Sequence, residues 1–367
     1  MTSTEKVAVQ AQEVRLVDII QKAVQYKASD VHITAGARPC LRVDGKIVQL
    51  SEYPVLTPDM TQKIAYSVMS ERHRKVLEER NQVDFSFGVK DIGRFRANVF
   101  FQKGSIAAVF RRLPNKIMNV RELGLTERVL ELCHKSMGLV LVTGPTGSGK
   151  TTTLAALINY INENFAHHII TVEDPIEYVF PHKKSIVNQR ELGEDVHSFA
   201  DALKAALRED PDVILVGEMR DLETIEIALR AAETGHLVFG TLHTNTAIST
   251  ITRIIDVFPP EQQEQVRIQL SFVLQGVISQ RLVPKIGGGK ALAYELMVPN
   301  TAIRNLIREN KLQQIYSIMQ SGQAQTGMQT MNQSLFGLYR ARLISIEDAY
   351  KYSPDTKELD RMLGRGQ

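Results

Sequence analysis

The chain has 367 residues, enough for two domains with separate cores, and its 43% hydrophobic and 23% charged content is that of a soluble globular protein. A net charge of +3 is too small to mark a nucleic-acid or membrane binder unless concentrated in a patch, and two cysteines, Cys40 and Cys133, exclude a four-cysteine zinc module and fit a reducing compartment. Met1 to Arg15 lacks the apolar stretch of a secretory signal, and no apolar run approaches the roughly 18–20 residues of a membrane span, so we expect a cytosolic protein, or one held at a membrane through partners.

Residues 1–12 are polar and expected to fray. Val14 to Lys27 reads as an amphipathic helix with Leu16, Ile19, Ile20 and Val24 on one face. Ser29 to Ile33 begins a strand, and Cys40 to Val48 reads as a hairpin turning at Asp44-Gly45. Thr57-Pro58-Asp59 is a helix start, and that helix is expected to run, with a break, towards Glu79. Three β-rich runs follow, Val83 to Val89, Arg94 to Gln102 and Ser105 to Leu113, completing a small α+β domain over residues 1–113. Residues 114–122 read as a linker. From Leu123 onward helices alternate with apolar strands at Leu139–Val142, Ile169–Val172, Val213–Val216 and Leu237–Leu242, which predicts a mainly parallel α/β sheet over 123–367. Leu282–Pro284 and Ala291–Glu295, around Gly287-Gly288-Gly289, predict an antiparallel extension, and the end from Thr301 reads helical.

The second region is organised around Gly144-Pro145-Thr146-Gly147-Ser148-Gly149-Lys150-Thr151, which fits the phosphate-loop pattern GxxxxGK[ST]. The strand before it and the helical spacing of Leu154, Ile158, Ile161 and Phe165 after it are the context this chemistry needs. Glycines let backbone N–H groups close around phosphate oxygens, and the helix N-terminus adds partial positive charge. Lys150 can then reach the β- and γ-phosphates, and the Thr151 hydroxyl can ligate Mg²⁺. An ordinary glycine loop would match the pattern about once in a hundred chains.

Asp212 to Glu218 is a buried strand ending in a carboxylate, and Glu218 is the candidate catalytic base, expected on a strand beside the phosphate loop. Gly217 stands where an aspartate is usual. Glu173, Asp174 and Glu177, after the strand Ile169–Val172, offer three carboxylates for Mg²⁺, directly or through water, or else form a solvated acidic loop. His236 and His243 flank the strand Leu237–Leu242; His243 is a candidate γ-phosphate sensor or a structural histidine. Arg94, Arg96, Arg111 and Arg112 lie on two neighbouring strands of the first domain, either an exposed sheet face or phosphate ligands.

Taken together these residues closely resemble the secretion ATPase superfamily, and within it the PilT-like type IV pilus retraction ATPases, over nearly the whole chain. Its signatures are legible as the phosphate loop 144–151, an aspartate box at 170–178, an atypical Walker B at 212–218 whose family form includes Gly217, and a histidine box at 235–245. The resemblance implies a PAS-like N-terminal domain joined to a RecA-like core, a hexameric ring, and ATP with Mg²⁺ as cofactors. It adds Thr152 and His236 to the nucleotide-binding residues, and places Arg96 and Arg111, with Arg112 and Arg94 behind them, where they reach a bound nucleotide as the domains close. Ala302-Ile303-Arg304-Asn305-Leu306-Ile307-Arg308-Glu309 matches the AIRNLIRE motif of the retraction members, which that family uses in coupling. Physically it is a short helix with Ile303, Leu306 and Ile307 on one face and Arg304 and Arg308 together on the other. The intact motif argues against the accessory retraction paralogue, and the missing zinc module against assembly and type II secretion members.

The implied function is a homohexameric motor that works with the pilus machinery and an inner-membrane platform protein, cytoplasmic and peripheral at the membrane through partners. A nucleic-acid translocase is the alternative from another class. The absence of Trp and of any dense basic-aromatic stretch argues against it, so no nucleic acid is expected as a partner. A non-motor nucleotide switch needs no in-place base such as Glu218.

Overall fold

Leu16, Ile19, Ile20 and Ala23 are buried along one side of helix α1 (Leu16–Gln25), the helical spacing of the sequence realised as packing. The computed structural model describes residues 14–114, 116–322 and 326–365; residues 1–12 lie outside the described residues. The chain divides into two compact units, with the division between Lys116 and Ile117.

In the first unit α1 leads to β1 (Asp30–Ile33), β2 (Cys40–Val43) and β3 (Lys46–Gln49). Asp44 and Gly45 take φ of 46° and 79°, the left-handed pair that a two-residue hairpin requires. Next come α2 (Pro58–Tyr66), α3 (Glu71–Arg80), β4 (Gln82–Val89), β5 (Gly93–Gln102) and β6 (Ser105–Arg112). The break between α2 and α3 has a local cause: Ser70 and His73 form a reciprocal capping box that starts a new helix. The six strands form an antiparallel sheet in the order β3-β2-β1-β6-β5-β4. Phe95, Ala97, Val99 and Phe110 on one face of that sheet pack with α1, α2 and α3 residues into a single core.

The second unit carries the larger sheet. A 3₁₀ segment (Glu127–His134) precedes β7 (Gly138–Thr143), α4 (Lys150–Asn164), β8 (His168–Glu173), β9 (Ile186–Glu191), α5 (Phe199–Ala206) and β10 (Val213–Val216). Then follow α6 (Leu222–Glu233), β11 (Leu237–Leu242), α7 (Ala247–Asp256), α8 (Pro260–Val273), β12 (Leu274–Pro284), β13 (Lys290–Met297), α9 (Thr301–Arg308) and α10 (Ile315–Ser321). Helices at Met331–Arg340, Ile346–Tyr352 and Thr356–Met362 close the described chain. Strand order is β13-β12-β7-β11-β10-β8-β9; every neighbouring pair is parallel except β12 with β13.

The wholly buried β7, β10 and β11 explain the continuous apolar runs, since a parallel sheet is covered on both faces. Leu139 and Leu141 point into a core with α6, α7, α8 and α9, while Val140 and Val142 point into another with α4 and the 3₁₀ segment. Ile117, Val120 and Leu125 pack with this second core.

Two features depart from the sequence expectations. The antiparallel extension is longer than read, because β12 begins at Leu274, runs first parallel to β7, and meets β13 only from Val277. β9 was not legible: Ile186-Val187-Asn188-Gln189-Arg190-Glu191 is too polar to read as a strand, which suits its place at the sheet edge. Among the described residues no helix is long and apolar enough to cross a membrane.

Candidate functional site

The loop between β7 and α4 is shaped by its glycines. Gly144 has φ of 143°, and a Cβ there would lie 2.4 Å from the Gln280 carbonyl oxygen. Gly149, with φ of 89°, caps α4, so the helix starts at Lys150 with its first N–H groups turned to the loop. The Lys150 Nζ donates to the carbonyls of Gly144 at 2.8 Å and Pro145 at 3.3 Å. Burial pushes the Lys150 ammonium below its usual value, although the Glu218 and Glu177 carboxylates draw it upward. Those two acids therefore act on the same space as the loop lysine.

The carboxyl edge of the sheet brings further groups together. Glu218, two residues beyond β10, pairs with His243 just past β11 (Nε2 to Oε1, 2.9 Å) and with Arg220. The strand order corrects one expectation: β10 does not lie beside β7, because β11 intervenes and carries His243 into the gap. Gly217 allows a close backbone approach, since a Cβ there would sit 3.0 Å from the Val172 carbonyl and 3.1 Å from the Glu173 Cα. An aspartate would push β8 and β10 apart. The Thr241 hydroxyl donates to the Gly217 carbonyl at 2.5 Å, fixing the residue before Glu218.

Glu173, Asp174 and Glu177 follow β8 on the same edge but in different settings. Asp174 is exposed and Glu177 half-buried. Glu173 is buried, and desolvation pushes its carboxyl up to about 7 against hydrogen bonds from Thr171 (2.7 Å) and Gln189 (3.0 Å). The Tyr178 hydroxyl donates to Thr152 Oγ1 at 3.1 Å, tying the acidic stretch to the start of α4. Among the described residues no group of three or more His, Cys, Asp or Glu side chains is arranged to hold a metal ion. A cation at this edge would therefore have to draw most of its ligands from phosphates and water.

Other candidates lie elsewhere. His236 precedes β11 at the amino edge of the sheet, and its Nδ1 sits 3.0 Å from the Ala231 carbonyl; within this unit it is not brought to the loop. The arginines are in the first unit. Arg96 on β5 is directly opposite Arg111 on β6, and Arg111 is opposite Asp30 on β1, so these three share a face. Arg111 Nε donates to Asp30 at 2.8 Å, Arg96 lies 3.5 Å from Asp84, and Arg94 bonds to Ser86. Burial raises the Asp30 carboxyl, but hydrogen bonds from Ser29 and Arg111 outweigh it and hold it below the usual range. Arg112 pairs with Phe95 and thus points to the opposite, core-side face.

The 302–309 segment forms α9 with Asn300 as its N-cap, and Ile303 and Ile307 are fully buried against α8 and its neighbours. Leu306 is only partly buried, and the two arginines are not simply solvated. Arg304 donates to the last carbonyls of α8, Ser271 and Phe272 (2.9 Å to the latter), while the Arg308 guanidinium stacks 5.7 Å from the Phe272 ring. Ala302, Asn305 and Glu309 are exposed.

With this geometry in place, a family model described as type II/IV secretion system protein matches residues 7–288. The chain belongs to that family. It is 51% identical over 334 residues to the type IV pilus retractation ATPase PilT of Pseudomonas aeruginosa, covering 91% of this chain and 96% of that one. The type IV pilus ATPase PilU of the same organism is 38% identical over 349 residues, covering 95% and 91%. A crystal structure of the pilus retraction motor PilT with bound ADP superposes with a TM-score of 0.90 at 68% identity, over 95% of this chain and all of that one.

Sequence reasoning missed residues that hold this secretion-family site in shape. Gln280, fully buried on β12, donates to the Ser148 carbonyl at 2.8 Å and accepts from the Thr153 hydroxyl at 3.0 Å, clamping loop and helix together. Beneath the loop, hydroxyls run from Ser279 to Thr143 (2.6 Å), Thr250 (3.4 Å) and Thr244 (2.6 Å), joining the base of the loop to the segment after His243. Glu295 on β13 accepts from the Ala247 N–H at 2.6 Å and from Met331, holding two helix starts; burial pushes its carboxyl up to about 7. Nothing in a one-dimensional pattern distinguishes these residues from ordinary polar positions.

Proposed function

We propose that this chain is an ATP-hydrolysing ring motor that powers type IV pilus retraction. The observation that carries the chemistry is the pairing of Glu218 with His243 on adjacent strand ends, on the sheet edge that also bears the phosphate loop. Likeness to proteins named as retraction ATPases supports the cellular role.

In this reading the loop N–H groups and Lys150 hold the β- and γ-phosphates, and Thr151 and Thr152 hold the metal and phosphates at the start of α4. Mg²⁺ held there would supply neutralisation of the charge that develops on the phosphates. Glu218 accepts the proton of the attacking water while His243 orients its carboxylate. Gly144 to Gly149 shape the cradle; Glu173, Asp174 and Glu177 order water around the metal. Arg96 and Arg111 complete the transition-state charge from the N-terminal unit, with Arg94 in support, and Arg111 leaves Asp30 to do so; Arg112, on the opposite face, takes no part. His236 acts across subunits, and residues 302–309 couple hydrolysis to the partner. The working form is a homohexamer in the cytoplasm, peripheral at the inner membrane through a platform protein of the pilus machinery.

Steady-state ATPase activity over a wide protein concentration range, beside Glu218→Gln and with or without single-stranded DNA, tests this. Activity per chain that rises with assembly, falls at least about a hundredfold in the variant and ignores DNA is expected. Full activity in Glu218→Gln would remove the base assignment, and strong DNA stimulation would favour a translocase.

A further inference from the structure

The short segment between β10 and α6 is anchored at its middle. Met219 is 1% exposed, and its N–H donates to the Thr241 carbonyl at 3.0 Å. Gly240 on β11 makes room for it, since a Cβ there would lie 2.4 Å from the Met219 sulfur. With Met219 pinned inward, its neighbours Glu218 and Arg220 meet on the outer side, and Asp221 then caps α6 by accepting from the Thr224 N–H at 2.9 Å. Arg220 Nε and His243 Nε2 both fall on the same carboxylate oxygen of Glu218, Oε1. Among the described residues no hydrogen bond or ion pair reaches Oε2. The charge of Asp174, just past β8, acts on the same guanidinium. The Arg220 side chain is 74% exposed, and an ion pair so open to water adds little to folding. Its geometry is what distinguishes it.

We propose that Arg220 is a positioning residue for hydrolysis: with His243 it fixes Oε1 of Glu218 and leaves Oε2 as the oxygen that takes the proton of the attacking water. The inference rests on the reading of Glu218 as the base. As the water oxygen bonds to the γ-phosphorus, the bond to the β–γ bridging oxygen breaks, and the water proton passes to Oε2 and from there to solvent. A carboxylate free to rotate would offer either oxygen at any angle. Two partners on one oxygen remove that freedom before substrate arrives. They come from different strand ends, Arg220 from the segment after β10 and His243 from the segment after β11, and the parallel pairing of those strands fixes their register. In this scheme Arg220 touches neither phosphate nor water, and Asp174 helps to hold its guanidinium at the edge.

The test uses the assembled full-length protein and steady-state ATPase kinetics. Arg220→Ala is expected to lower kcat at least about tenfold, while KM for ATP and the Kd of ADP stay within about twofold. Its melting temperature is expected to stay within about 2 °C of wild type, because the side chain is exposed. Added to Glu218→Gln, the same substitution is expected to cost less than about twofold further, since the arginine acts through that carboxylate. A raised KM or Kd with kcat unchanged would make Arg220 a phosphate ligand, and a raised kcat would make it a brake on the base; either result overturns the proposal. Losses that multiply in the double variant would also overturn it, by giving Arg220 a role independent of Glu218. Full activity in Glu218→Gln would instead sink the base assignment on which the inference rests, and that result is read from a variant that leaves Arg220 in place.

Discussion

Glu173 gives the most quantitative test of how the acidic stretch is built. Burial raises its carboxyl from 4.5 to about 7, so the folded chain holds this proton more tightly than the unfolded chain does. The sign follows from proton linkage. This residue costs nothing below the unfolded value of 4.5, and destabilises increasingly as pH rises through about 7. Fully expressed, the cost is about 3 kcal/mol. Glu173→Gln removes the charge and keeps an oxygen to accept from Thr171 and Gln189, which both donate to the same carboxylate oxygen. The new amide N–H₂ needs a partner, which offsets about 1 kcal/mol. The variant is therefore expected to be more stable than wild type by about 2 kcal/mol at pH 8.5 and equal to it within about 1 kcal/mol at pH 5. Urea unfolding followed by far-ultraviolet circular dichroism suits a chain without tryptophan, and it should be run without nucleotide. The contrast between variant and wild type isolates Glu173 from Glu295, which titrates in the same range. A variant that is destabilised at pH 8.5, or a difference that does not change with pH, would refute the reasoning.

Further predictions follow from packing. Gly217→Ala should cost about 1–3 kcal/mol and depress ATPase activity, because its Cβ meets backbone of β8 at 3.0–3.1 Å; unchanged melting would show that the strands have slack. Arg304→Ala removes the cap on α8 and should lower stability by about 1–2 kcal/mol while nucleotide affinity, measured by calorimetry, stays within about twofold. Gln280→Ala leaves the Ser148 carbonyl and the Thr153 hydroxyl without their partner, and should weaken ADP binding and cost about 2–4 kcal/mol in the same unfolding assay. Cys133 is buried and its thiol is pushed well above the usual value, so alkylation of the native protein should leave it intact and modify it only after unfolding.

The parts of this molecule that could be read in advance are those where chemistry is local. The phosphate loop is contiguous, its strand is apolar because both faces are covered, and Asp44-Gly45 or Ser70 act on residues two or three positions away. Glu218 was visible because its strand is a continuous apolar run with an acid at the end. Strand order was not visible, and it is what sets His243 rather than the loop itself beside Glu218. Gln280, Ser279 and Glu295 serve the site from strands that the chain reaches much later, and each is one unremarked polar residue in its own neighbourhood. The partners of Arg304 are hidden for a related reason: helical spacing says which side of α9 it occupies, while only the packed position of α8 says that carbonyl groups wait there.

The Gln280 clamp also has a consequence for how the protein is made. The loop and the residue that fastens it are 132 positions apart, and β7 takes β12 as a neighbour only once residues 274–279 exist. A nascent chain that has already emerged through α4 therefore carries a phosphate loop with one wall missing. Nucleotide should bind poorly to such a chain and should not assist its early folding. At a synthesis rate of roughly 5–20 residues per second, that interval lasts on the order of ten seconds. During it the apolar edge of β7 is open on the side that β12 will take, and that edge is where a chaperone or a mispaired strand would find this protein vulnerable.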